Sequence, residues 1–172
     1  MNSSKMTWSP TLCSMTRSSF SMAFERLQIG WRERVGFPDW GIPVLRAKID
    51  TGARTSALHA IEIEEFTQNG DSWVRFGAPL TDHGPITRCS AKLVDTRAIK
   101  NTSGKPEDRL VVSTTLVLAQ RYWKIEVSLA DRDNMGFPLI LGRTAMRRHS
   151  LLVDPGRSYL AGEPIFRTTR DT

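Results

Sequence analysis

Ile42-Pro43-Val44-Leu45-Arg46-Ala47-Lys48-Ile49-Asp50-Thr51-Gly52-Ala53 is an apolar-patterned run that ends on a carboxylate at a tight turn. The run reads as a strand, and Asp50-Thr51-Gly52 as the loop it delivers. Glycine after Asp-Thr lets the backbone turn sharply and approach a neighbouring chain without a Cβ clash. The threonine hydroxyl can hydrogen-bond a backbone group and fix the loop. A carboxylate that hydrolyses an amide must hold a water and take its proton, which is easier when a second carboxyl shares the site. Two such groups about 3 Å apart cannot both ionise near neutrality, so they share one proton. The chain has no second Asp-Thr-Gly or Asp-Ser-Gly, so the partner must come from another copy across a two-fold axis. The competing reading of Asp50 is a plain turn between strands, its carboxylate accepting backbone N–H groups.

Bulk properties limit what this loop belongs to. A chain of 172 residues suits one domain with a real hydrophobic core but not two large lobes. Its hydrophobic fraction of 40% and charged fraction of 24% are those of an ordinary globular protein, and no apolar run approaches the length of a membrane-spanning helix. Two cysteines, Cys13 and Cys89, make no disulfide framework, so a reducing, cytoplasmic setting is expected. The formal charge of +6 raises nucleic acid as a partner, but the basic residues are spread along the chain and alternate with acids, so no nucleic-acid or membrane partner is expected.

Residues 1–24 are rich in Ser, Thr and Met, with no acid and no hydrophobic period, and are expected to be a disordered tail. A transit peptide, or a true start at Met22, would read the same way. The domain is expected over residues 25–165, with 166–172 a flexible C-terminal tail. Within it, alternation predicts a strand over residues 29–37, a turn at 38–41 and a strand over 42–50. A hairpin follows over 60–66 and 72–78 around Asn69-Gly70, the strongest short hairpin signal. Extended runs at 86–96, 110–118 and 122–129 come next, with loops at 79–85, 101–108 and 131–136. Residues 143–149 read as one short helix, and 151–153 and 159–160 as closing strands. Many short strands with one late helix predict an all-β barrel or sandwich.

Lys48-Ile49-Asp50-Thr51-Gly52-Ala53-Arg54-Thr55-Ser56-Ala57-Leu58-His59-Ala60 and Leu139-Ile140-Leu141-Gly142-Arg143-Thr144-Ala145-Met146 together resemble one known family. It is the retropepsin-like family of bacterial proteins that carries the name ATP-dependent zinc protease. Gly30-Trp31-Arg32-Glu33 and residues 131–137 are similar to further family blocks, so the likeness runs from Ile29 to Gly162. The resemblance implies a retropepsin-like acid-protease β-barrel, one lobe per chain, that works as a homodimeric aspartic peptidase. It implies Asp50, Thr51 and Gly52 as catalytic residues, Ala53 and Arg54 as substrate-binding, and Leu141, Gly142 and Arg143 as the strand that supports the loop. Glycine at 142 would let that strand pass close behind Asp50.

The chain departs from viral members at Arg54, where those carry an aspartate that pairs with the arginine after the strand glycine. Arg54 and Arg143 repel, so Arg143 is expected to pair with Asp131 or Asp133. Arg54 beside the loop would favour an acidic substrate. The family is often encoded near ATP-grasp ligases that add glutamates to proteins, so a glutamyl tail and association with such a ligase are part of the same expectation. The alternative is a catalytically inactive module on the same fold that binds a peptide or partner enzyme.

The metal in the family's name finds no ligand motif. His59, His83, His149 and Cys89 are scattered, without His-Glu-x-x-His or Cys-x-x-Cys, and no phosphate-cradling glycine loop is present, so neither metal nor cofactor is expected. Cys89 reads as a small semi-buried strand residue. Two segments could serve as a flap, the Asn69-Gly70 hairpin and the 101–108 loop.

Overall fold

Period-two alternation builds nearly every element of this chain, a computed structural model that describes residues 26–165 apart from 82–83, 101–105 and 132–135. The strands are β1 (Leu27–Gly30), β2 (Arg32–Phe37), β3 (Ile42–Asp50), β4 (Ser56–His59), β5 (Ile61–Gln68), β6 (Asp71–Pro79), β7 (Ile86–Lys100), β8 (Pro106–Leu118), β9 (Arg121–Ala130), β10 (Leu139–Gly142) and β11 (Leu151–Asp154). A 3-10 turn at Pro38–Trp40 joins β2 to β3, and one helical turn, α1 (Arg143–Met146), follows β10.

The main sheet runs β2-β3-β10-β4-β9-β8-β7-β6-β5. The far end of β8 also pairs with β2, Val35 opposite Leu118 and Gly36 opposite Val117. That second pairing closes β2, β3, β10, β4, β9 and β8 into a barrel and leaves β7, β6 and β5 as an extension from β8. Closure removes the exposed edge that β2 would otherwise present. The fold is all-β and retropepsin-like.

Inside the barrel, Leu45, Ala47 and Ile49 of β3 meet Leu58, Leu116, Leu118, Leu139 and Leu141, all buried. Phe37, Trp40 and Phe76 pack ring against ring at one end, with centroids 4.9 and 5.3 Å apart. On β3 the intervening Arg46 and Lys48 are exposed, so the strand has one core face and one outer face. The Asn69-Gly70 turn takes φ of 52° and 82°, the left-handed pair that a two-residue hairpin needs.

Several expected elements differ. The strand over 29–37 is two strands broken at Trp31, because β1 pairs in parallel with β11 while β2 pairs with β3. Glu33 keeps the buried parity that it shares with Val35 and Phe37, a carboxylate in an otherwise apolar row. The helix over 143–149 is a single turn: Arg147 is extended and Arg148 and Ser150 have φ of 75° and 51°, which turns the chain into β11 and leaves no dipole of consequence for the basic residues to complement. Residues 159–160 form no strand; Tyr159 N donates to Arg32 O while its own φ is 56°. The 101–108 loop is shorter than expected, since β8 already begins at Pro106. Residues 1–24 and 166–172 lie outside the described residues.

Candidate active site

β10 is the strand that positions the Asp50 loop. It lies between β3 and β4, parallel to β3, with Gly142 in register with Asp50. A Cβ on Gly142 would stand 2.6 Å from the carbonyl carbon and oxygen of Thr55. Its φ of −85° is open to any residue, so close approach alone demands glycine here. The strand therefore passes directly behind the loop, as the resemblance implies.

Backbone and side-chain bonds then tie the two together. Arg143 N donates to Ala53 O at 2.9 Å, and Thr144 N and Oγ1 both donate to Arg54 O. Gly142 N donates to Ser56 Oγ, and Ser128 Oγ on β9 donates to Ser56 O. Ser56 and Ser128 are buried and went unremarked in the sequence. The available signal was a hydroxyl inside an otherwise apolar strand shortly after Asp-Thr-Gly, which must find a partner once buried.

Arg143 corrects one expectation. Its Nη1 donates to Thr51 O and Gly52 O, each at 2.8 Å, so the cation clamps the loop by its carbonyls. Asp131 makes no ion pair with it, and Asp133 lies outside the described residues. A guanidinium suits this task because each terminal nitrogen carries two N–H donors, so Nη1 alone serves both carbonyls.

Asp50 itself is half-buried. Its Oδ1 accepts Gly52 N and Ala53 N, both at 3.0 Å. Its other oxygen has no partner among the described residues, and Thr51 and Gly52 beside it are exposed. Within one chain the Thr51 hydroxyl does not fix the loop; Ser56, Thr144 and Arg143 do. Arg54 is exposed, with no carboxylate paired to its guanidinium among the described residues, while Leu141 is buried in the barrel. The arrangement is a rigid surface loop that presents one free carboxylate oxygen.

The remaining candidates are elsewhere. Cys89 is buried on β7 and its thiol is pushed up to about 12 by burial, the opposite of an activated nucleophile. Among the described residues no three His, Cys, Asp or Glu side chains converge as metal ligands. His59 is on β4, and His83 lies outside the described residues. No helix is long and apolar enough to cross a membrane.

A closed barrel of one lobe, with an Asp-Thr-Gly loop backed by an apolar-apolar-Gly-Arg strand, defines the retropepsin-like class. The chain belongs to the RimB-like family: residues 28–164 match the family described as retropepsin-like aspartic endopeptidase RimB. Among curated relatives, a protein of Desulfotalea psychrophila named "Probable alpha-L-glutamate ligase" is 43% identical over 137 residues, covering 78% of this chain and 29% of that protein. One of the same name from Shewanella pealeana is 40% identical over 144 residues, covering 83% and 31%. This chain thus spans under a third of those relatives. A solved structure of a Legionella pneumophila protein of unknown function superposes with a TM-score of 0.69 at 30% identity, covering 78% of this chain and 98% of that one.

Proposed function

We propose that this chain is an aspartic-type peptidase in which Asp50 of two copies forms the catalytic pair. The observation that carries the reading is the Asp50 carboxylate, one oxygen anchored by its own loop and the other free at an exposed surface. In the pair, one carboxylate takes a proton from water as the water attacks the amide carbonyl. The protonated partner polarises that carbonyl and then protonates the leaving nitrogen. Thr51 and Gly52, exposed in the single chain, are the loop residues a second copy would meet. Ala53 and Arg54 stand next to the bound chain. Either the β5–β6 hairpin or the β7–β8 hairpin would serve as the flap.

The substrate we infer is an acidic or glutamyl peptide or isopeptide. Arg54, exposed and paired with no carboxylate among the described residues, supports an acidic partner. So does the likeness to segments of proteins named glutamate ligases, since a peptidase of this kind would remove what such a ligase adds. Association with an ATP-grasp ligase belongs to the same proposal.

A second reading, a non-catalytic peptide-binding module, is favoured by the same Arg54, because a nearby cation disfavours the shared-proton state. Peptide cleavage measured across pH, with Asp50→Asn and a transition-state-analogue inhibitor of aspartic peptidases in parallel, separates the two. Activity that survives Asp50→Asn overturns the aspartic mechanism. Absence of cleavage in a strictly monomeric protein leaves the binding module.

A further inference from the structure

The outer face of β2 and β3 gathers four cations that the linear sequence keeps apart. Arg32 stands directly opposite Lys48, and Arg34 opposite Arg46. Opposite positions on an antiparallel pair bring Cβ atoms to about 5 Å, and like charges there are destabilising. Among the described residues, Glu163, 3.2 Å from Arg34, is the one acid that pairs with any of the four. The guanidiniums are instead laid over rings: Arg32 over Trp31 and Tyr159, Arg34 over Tyr159 at 4.4 Å, and Arg46 over Phe137 at 5.9 Å. Arg46 and Lys48 are exposed.

This face runs into the active site. Positions 46, 48 and 50 share one side of β3, while Leu45, Ala47 and Ile49 are buried. The cations therefore form a row with about 6.8 Å between successive side chains that ends on Asp50. An extended polypeptide has the same repeat between alternate residues, so acidic residues at every second position match the row. Nucleic acid fits less well, because the rings that could stack bases are covered by guanidiniums.

We propose that the Arg32, Arg34, Arg46 and Lys48 face is a docking site for an acidic stretch of polypeptide, holding it along β3 on its way to the Asp50 loop. Its use in catalysis rests on the peptidase reading, but the binding itself does not.

The test uses the full chain carrying Asp50→Asn, which binds without chemistry. Fluorescence anisotropy measures an oligo-glutamate peptide and, separately, an oligouridylate, each titrated at low and moderate salt. Adding Arg46→Thr and Lys48→Thr should weaken peptide binding at least about 10-fold and flatten its salt dependence. The thermal midpoint should hold or rise, since the like-charge pairs are gone. If the threonine variant unfolds, Arg46→Gln with Lys48→Gln is read in its place. Unchanged peptide affinity overturns the proposal. So does an oligouridylate that binds through these residues while the peptide does not. A wild-type chain that binds the peptide through this face but cleaves nothing would sink the peptidase reading and leave the docking site standing.

Discussion

Glu33 and Asp50 are carboxylates on neighbouring strands of one barrel, and the chain treats them in opposite ways. Glu33 is fully buried, and both of its oxygens are engaged. Oε1 accepts Gly30 N at 2.6 Å and Leu160 N at 2.9 Å, and Ala161 N lies 3.4 and 3.3 Å from the two oxygens. It clasps the segment that follows β11 onto the start of β2. Asp50 has the same kind of partner, backbone N–H, but from its own loop and on one oxygen only. A carboxylate that joins distant segments with both oxygens bonded to protein is structural; one held by its nearest neighbours with an oxygen to spare is available for chemistry.

Mutation can break this contrast. Asp50→Asn should lower peptide cleavage by about 10²- to 10⁴-fold in steady-state assays. It should move unfolding stability by less than about 1 kcal/mol, because an amide oxygen can still accept Gly52 N and Ala53 N. Glu33→Ala should do the reverse, costing about 3–5 kcal/mol in urea denaturation by leaving one buried and two part-buried N–H donors without an acceptor. A small stability loss at Glu33 would remove the distinction.

Gly142→Ala sharpens the comparison, because it strikes the support of Asp50 without touching either carboxylate. A methyl group 2.6 Å from the Thr55 carbonyl must push the loop away, at about 1–3 kcal/mol. The fall in kcat should exceed what the stability loss explains, and a crystal structure should show the loop displaced from β10.

The smallest effect concerns a third carboxylate, Asp39, which is exposed but takes its partners from other strands. Burial raises its pKa, but hydrogen bonds from Lys124 Nζ and from Thr115 N and Oγ1 outweigh it, so the net shift is below the ordinary 3.8. A depressed folded value means the stabilisation is fully present above the unfolded value and is lost as pH falls through the folded one. Asp39→Asn should therefore be less stable than wild type near neutrality, by no more than about 1 kcal/mol for so exposed an ion pair. The gap should begin to narrow below about pH 4 and close as pH falls through the lowered folded value, in thermal melts taken across pH.

The legible part of the site was the part built from adjacent residues. Asp50-Thr51-Gly52 announces a turn, and Leu139-Ile140-Leu141-Gly142-Arg143 a buried strand that ends on a close approach. The register of Gly142 with Asp50 agrees with that reading. The carbonyl partners of Arg143 were not legible, because they belong to the loop after β3 and only the pairing of β10 with β3 brings them within reach. Ser56 was overlooked because a serine in sequence does not show whether it will be buried.

By itself the sequence determined the alternation of the strands, the Asn69-Gly70 hairpin, the Asp50 turn and the family resemblance, all properties of residues a few positions apart. Tertiary structure alone decided that β2 returns to β8 and closes the barrel, that Glu33 is a clasp, and that Arg32, Arg34, Arg46 and Lys48 stand opposite one another. The physical reason is register. A strand's own pattern says which face each side chain takes, but which residue it meets on the next strand is set by turns, breaks and closure that involve the whole chain.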